Sequence, residues 1–330
     1  MASTRITRPW SRRGRGWLGL IGAGVAGAVL ATLLTSGGAA VGSWDSAEGQ
    51  DAHLAAYEEV FATMPRPAQT LDVRTDYGVV RVYRFTGSGR AAEPLVLLPG
   101  TTSGAPVWAD NMASLLRVGD VYALDLLGEP GRSVQERPIA SHEDEARWLD
   151  QTLAGLPEQR FNLVGLSIGG WTATNLAVRH PEQVASLTLL DPALVYGEIP
   201  LGTMLRAIPV SAPWAPRSWR DSFTSYTAGG APVRDVPVAR MIEAGMQHYR
   251  MRLPQPSLIP EDQLAALPMP VLAIVAGRSV MHDPATAEQL ARRVFTGTDV
   301  VKVYPTATHA INGELPEEIA ADISQLVARR

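Results

Sequence analysis

The stretch Phe161-Asn162-Leu163-Val164-Gly165-Leu166-Ser167-Ile168-Gly169-Gly170 constrains this chain more than any other. An uninterrupted apolar run ends in Gly-x-Ser-x-Gly, and Trp171 to Arg179 follows with a helical pattern. A buried strand turning sharply into a helix holds the middle serine in a strained backbone conformation. Glycines on either side remove the side chains that would collide there. Ser167 is therefore a candidate nucleophile. The same residues can also form a surface turn with a capping serine, so the rest of the chain has to supply the remaining chemistry.

More runs of the same kind flank it: Pro94-Leu95-Val96-Leu97-Leu98, Val121-Tyr122-Ala123-Leu124, Leu187-Thr188-Leu189-Leu190 and Val271-Leu272-Ala273-Ile274-Val275. Short continuous apolar runs separated by helical patterns predict a mostly parallel central sheet with helices on both faces. An alternating pair, Thr70 to Arg74 and Val79 to Phe85 around Asp76-Tyr77-Gly78, predicts a hairpin at the start. Asp299 to Tyr304 adds a last strand and Pro316 to Arg330 a last helix. Between Pro192 and Leu267 this rhythm stops. The segment is rich in proline, carries Trp214, Trp219, Tyr226 and Tyr249, and reads as an inserted helical cap, because structureless loops of that length are uncommon inside compact domains.

The N-terminus is different in kind. Arg5, Arg8, Arg12, Arg13 and Arg15 precede a stretch without charge from Trp17 to Trp44. Residues 1–44 are expected to be a signal peptide or an N-terminal membrane anchor, with the small residues Gly38-Ala39-Ala40-Val41-Gly42 offering a cleavage site. In either case the basic flank stays inside, the segment contacts the membrane during export, and the catalytic part is secreted or anchored facing out. Ser11-Arg12-Arg13 faintly resembles a twin-arginine signal, although Gly14-Arg15-Gly16 breaks the usual continuation. Residues 45–69 are a linker or helical lead-in, and 70–330 the main domain, with the cap at about 192–267.

Charge and cysteine narrow the chemistry. Of 29 Lys and Arg, five lie in the basic tail, which leaves 24 against 33 Asp and Glu, a formal charge of -9. Such a domain has no electrostatic footprint for nucleic acid and suits small uncharged or cationic substrates. With no cysteine, disulfides, thiol catalysis and thiolate metal sites are excluded.

A serine nucleophile needs a base, a group to orient that base, and donors for the oxyanion. His309 follows the last strand and is the histidine placed to reach the carboxyl edge of a parallel sheet. His180, before Pro181, reads as a helix-terminal cation, and His53, His142 and His248 lie in polar helical contexts that favour solvent. The oxyanion donors are expected to be the backbone N–H of Ile168 and one from Pro99-Gly100-Thr101-Thr102-Ser103-Gly104, with Thr101 as the contributor.

Taken together these residues resemble the α/β-hydrolase superfamily, from about residue 70 to 328 and in the expected chain order. The resemblance implies an α/β-hydrolase fold. Asp125-Leu126-Leu127-Gly128-Glu129-Pro130-Gly131-Arg132-Ser133 is similar to the superfamily's Asp-x-x-Gly-x-Gly-x-Ser turn, one residue longer, and reads as structural. Pro99 stands where many members have histidine. The family's usual place for the acid, shortly after the seventh strand, holds Val280; Asp283 comes three residues later and Asp191, after the sixth strand, is the alternative. Asp283 is the expected acid, although its position before Pro284 also suits a helix N-cap. His282 reads as structural.

The expected activity is that of an exported serine hydrolase that cleaves a carboxylic ester through an acyl-enzyme on Ser167, without cofactor or metal. C–C, thioester or amide hydrolysis, perhydrolysis and acyl transfer use the same equipment. A noncatalytic protein that holds a small ligand in the same pocket is the rival from another class.

Overall fold

The computed structural model describes residues 40–210, 215–230 and 236–329. The anticipated export segment lies outside the described residues except for 40–44. Among the described residues no helix is long and apolar enough to cross a membrane.

The chain begins with β1 (Ser43–Trp44), α1 (Ala47–Phe61), β2 (Gln69–Thr75), β3 (Gly78–Phe85) and β4 (Leu95–Leu98). It continues through α2 (Ala109–Leu115), β5 (Val121–Leu124), β6 (Val134–Gln135), α3 (His142–Ala154), β7 (Phe161–Leu166), α4 (Ile168–Arg179) and β8 (Val184–Leu190). An insertion follows, with α5 (Leu201–Val210), α6 (Arg217–Thr227), α7 (Pro237–His248), β9 (Tyr249–Arg250) and α8 (Glu261–Ala265). The chain then returns to the sheet with β10 (Val271–Ala276), α9 (Pro284–Val294), β11 (Val300–Tyr304), α10 (Ile311–Glu314) and α11 (Pro316–Ala328).

The sheet runs β11-β10-β8-β7-β4-β5-β3-β2, and β6 pairs with β3. Pairings of β3 with β2, β5 and β6 are antiparallel; the others are parallel. The apolar runs read from the sequence are these central strands, and β4, β5, β7, β8 and β10 are buried at every position.

Because strand side chains alternate, each run feeds two cores. Val96, Leu98, Tyr122, Leu124, Leu163, Leu187 and Ala273 pack on one face, with Trp148 and Leu149 of α3, Leu176 of α4 and Leu290 of α9. Their neighbours Leu95, Leu97, Val121, Ala123, Leu190, Leu272 and Ile274 pack on the other, with Met112 of α2 and Ile323 and Leu326 of α11. Burial on both faces is what a continuous apolar run requires, and it leaves the carboxyl ends of the parallel strands as the edge where loops converge.

The lead-in is more than a linker. Ser46 caps α1 by accepting the Gly49 N–H at 3.0 Å, and α1 lies against α7 of the insertion. β1 pairs with β9, while the Trp44 ring sits 5.1 Å from His53 and 5.0 Å from Tyr249. His53, expected to face solvent, is instead fully buried. Its Nδ1 donates to the Met241 carbonyl at 2.9 Å, and burial holds it down at about 4, so it is neutral at physiological pH. The polar neighbours that suggested exposure belong to the opposite side of a helix that the insertion covers.

Candidate active site

β7 delivers Ser167 into the turn, with φ 53° and ψ −116°, a conformation that side chains rarely adopt. The turn is held from both sides: Ser167 N–H donates to the Leu190 carbonyl, and the Ser167 carbonyl accepts the N–H groups of Gly170, Trp171 and Ala193. A Cβ at Gly165 would lie 2.5 Å from the Gly169 carbonyl oxygen, and one at Gly169 would lie 2.3 Å from the Leu98 carbonyl oxygen. The glycines thus let α4 start against its own strand and against β4.

His309 reaches Ser167 from the loop after β11. That loop is pinned by Glu314, which accepts Thr308 N–H at 2.8 Å and Thr308 Oγ1–H at 2.6 Å. His309 Nε2 lies 2.9 Å from Ser167 Oγ, and its Nδ1 lies 2.6 Å from Asp191 Oδ2. An ionised carboxylate only accepts, so the proton sits on Nδ1 and the Nε2 lone pair faces the serine hydroxyl. All three residues are buried.

The acid in contact with His309 is Asp191, the alternative, rather than Asp283. Asp283 is exposed and caps α9, accepting Thr286 N–H at 2.8 Å and Thr286 Oγ1–H at 2.7 Å. These bonds hold its carboxyl below the ordinary value. Sheet order explains why the acid can sit earlier in the chain. β8 and β10 are adjacent, with Leu190 opposite Ile274, so the ends of both strands open onto one place. Asp191, with φ 44°, turns its carboxylate toward the end of β10, where it accepts Ala276 N–H at 3.0 Å and Ser279 Oγ–H at 2.7 Å. Burial works to raise this carboxyl, but His282 and His309 together hold it well below the usual carboxylate range. His282, itself buried, brings Nε2 to 3.0 Å from Asp191 Oδ1, in an orientation that misses a directed N–H···O bond.

Thr101 and Ile168 line one narrow cleft, and the buried Ser167 and His309 are not among its lining residues. Neither backbone N–H donates to a group among the described residues. Ile168 opens α4, where the first-turn N–H groups have no helical acceptor. The loop after β4 is folded around two acids: Ala105 N–H donates to Asp125 Oδ1 at 2.7 Å, and Thr102 N–H to Glu129 Oε2 at 2.9 Å. Asp125 also accepts Arg132 N–H at 2.7 Å, which makes the Asp125 to Ser133 segment the brace that its sequence suggested. His180 ends α4 beside Glu143, at 3.1 Å, away from the serine.

Two residues escaped the sequence reading. Glu129 and Glu145 are buried and line the same cleft as Thr101 and Ile168. Burial pushes Glu129 up to about 8 and Glu145 up to about 7. The extra residue in the turn that holds Glu129 was the available signal; Glu145, in the acidic first turn of α3, looks like an ordinary helix-start residue.

The alpha/beta hydrolase family model matches residues 95–322, more than half of the chain. The chain belongs to the alpha/beta hydrolase family. Among its relatives is the uncharacterized carboxylesterase nap of Bacillus subtilis, 24% identical across 79% of this chain and 87% of that protein. Among solved structures, carboxylesterase CesB (YbfK) of Bacillus subtilis superposes with a TM-score of 0.76 at 20% identity, covering 86% of this chain and 99% of its own. Naproxen esterase (carboxylesterase NP) of the same organism gives 0.75 at 22% identity, covering 85% and 99%. At these identities the structural likeness speaks to the fold, and within the family the site has to be argued from its own geometry.

Proposed function

We propose that this alpha/beta hydrolase is a carboxylesterase that works through an acyl-enzyme on Ser167. The observation that carries the reading is the unbroken buried chain from Ser167 Oγ through His309 to Asp191, with spacings of 2.9 and 2.6 Å. In this reading Ser167 attacks the ester carbonyl while His309 takes its proton and Asp191 stabilises the imidazolium. The N–H groups of Thr101 and Ile168 receive the oxyanion. His309 then protonates the leaving alcohol, and water, activated by the same imidazole, releases the acid. The carboxylesterases among the relatives support the substrate class. The rival reading, a noncatalytic binder, drew its support from the lack of an acid after the seventh strand; an acid at Asp191 removes that support.

We further propose that the enzyme acts outside the cytoplasm, on the strength of the five arginines and the uncharged stretch that follows them. Fractionation with protease accessibility in intact cells tests the location, and a wholly protected soluble cytoplasmic protein would refute it. For the chemistry, a fluorophosphonate probe should label the protein, and Ser167→Ala should abolish both labelling and turnover of a graded ester panel while the fold persists. Ordinary turnover by a folded Ser167→Ala protein would sink the acyl-enzyme reading.

A further inference from the structure

The cleft that Ile168, the residue after Ser167, lines is not the plain apolar slot that a neutral ester would need. Glu129, from the loop after β5, and Glu145, from the first turn of α3, both line it, along with Trp148, Trp171 and Thr101. Glu129 is 6% and Glu145 5% exposed. Each has one oxygen engaged: Glu129 Oε2 by Thr102 N–H and Glu145 Oε2 by the Trp148 indole N–H, both at 2.9 Å. Neither forms an ion pair among the described residues. On the same wall the buried Thr101 hydroxyl lies near Glu129 and helps to hold its carboxyl down against the effect of burial.

Buried carboxyls without a counter-charge are costly to ionise, and burial raises both of these toward neutrality. A neutral substrate gains little from them, and an ionised Glu129, bonded to the residue after Thr101, would oppose charge building up on the oxyanion. A positive charge in the cleft reverses both effects. Indole rings add favourable surroundings for an ammonium group, and the negative charge of the domain as a whole favours the arrival of a cation.

We propose that this cleft binds a cationic group, a quaternary ammonium or a protonated amine, carried by the acyl or the alcohol part of the substrate. Glu129 and Glu145 are its counter-charges, and Trp148 and Trp171 its apolar walls. The proposal rests on the esterase reading of Ser167 and names its substrate class.

Two matched pairs of esters test it. One pair compares a choline ester with its carbon isostere, tert-butyl replacing trimethylammonium in the alcohol. The other makes the same replacement at the end of a four-carbon acyl chain. The ratio of kcat/KM for the cationic over the neutral member is read in the wild type, Glu129→Gln and Glu145→Gln, so that any loss of folded enzyme cancels within each sample. The expected wild-type ratio is roughly tenfold or more in one pair, which identifies the side that carries the cation, and it collapses toward unity in both variants. A wild-type ratio at or below unity in both pairs overturns the proposal, as does a preference that survives both substitutions. If neither the esters nor a fluorophosphonate reacts with Ser167, it is the esterase reading that fails. Calorimetric binding of tetramethylammonium then decides the cation site by itself: binding that is lost in the Gln variants upholds it, and no binding to the wild type overturns it.

Discussion

Asp191 and Asp283 show how much a carboxylate's neighbours decide its use. Asp191 receives a backbone N–H, a serine hydroxyl and the His309 imidazole inside the protein, whereas Asp283 spends its bonds on Thr286 at the surface. Asp191→Asn should lower turnover by roughly 10³ to 10⁴ near neutral pH, because an amide in that place favours the wrong imidazole tautomer and stabilises the imidazolium poorly. Asp283→Asn should lower the melting temperature slightly and leave turnover per folded molecule unchanged. Parallel kinetics and thermal melts of the two variants make the check, and a crippled Asp283→Asn enzyme would restore the acid to the strand-seven side. Glu129 makes a second prediction through linkage. Its carboxyl is raised from 4.5 to about 8, so between those values the folded protein holds a proton that the unfolded chain has released. Stability therefore falls as pH rises through that window. Glu129→Gln, which carries no charge to desolvate, should melt higher than the wild type above pH 8, and the difference should shrink as pH falls toward 4.5; a difference that does not vary with pH would contradict it. Ser167 and His309 were legible because a local motif and a chain position mark them. Which carboxylate would meet the histidine was ambiguous because the ends of β8 and β10 lie side by side, and only their pairing in the sheet says so.

The start of α4 carries most of the site's precision. It fixes the strained serine, presents the Ile168 N–H to the cleft, and depends on glycines to pass close to β4 and β7. At Gly169 the obstacle to a side chain is backbone, the carbonyls of Leu98 and Pro99, at 2.3 and 2.4 Å from a Cβ. Neither can swing aside as a flexible side chain would. Gly169→Ala should therefore cost about 1–3 kcal/mol or more of stability. It should also depress kcat beyond the loss of folded protein, since the helix must back away from β4 and carry Ser167 and the Ile168 N–H with it. Denaturant melts alongside fluorophosphonate labelling rates separate the two effects; full labelling at the wild-type rate would show that the close approach serves packing alone. The central strands were readable because burial on both faces leaves an uninterrupted apolar signature. The β1–β9 pair was not, since Ser43–Trp44 and Tyr249–Arg250 form a two-residue pairing across more than two hundred positions, with no periodicity to betray it.

Across the whole molecule, the segment before the hydrolase domain ties the insertion to the sheet. α1 packs its Tyr57 and Ala56 into the core face that also takes Met241 and Ile242 of α7. Tyr57 Oη lies 3.1 Å from both carboxylate oxygens of Asp125, the residue that braces the loop carrying Thr101. Behind the same helix, Arg240 of α7 pairs with Glu59 at 2.6 Å. The lead-in is thus linked through Asp125 to the loop that carries Thr101 and through α7 to the lining of the cleft, where Met251 and Leu253 follow β9. Two graded changes separate these links. Tyr57→Phe keeps the ring and removes one charge-assisted bond, so it should cost about 1.5–3 kcal/mol of stability and loosen the Thr101 loop, raising KM for a small ester more than it lowers kcat. A chain that starts at residue 66 loses the helix altogether. It strips cover from Met241 and Ile242 and should lose most of its turnover, while the sheet, whose cores take only Ala56, Tyr57, Phe61 and Met64 from the described residues before 66, remains folded. Far- and near-ultraviolet circular dichroism with ester kinetics on both proteins reads the outcome. If the shortened chain keeps wild-type turnover, α1 is dispensable to the site and residues 45–69 serve it only as a linker, one of the two readings their sequence allowed.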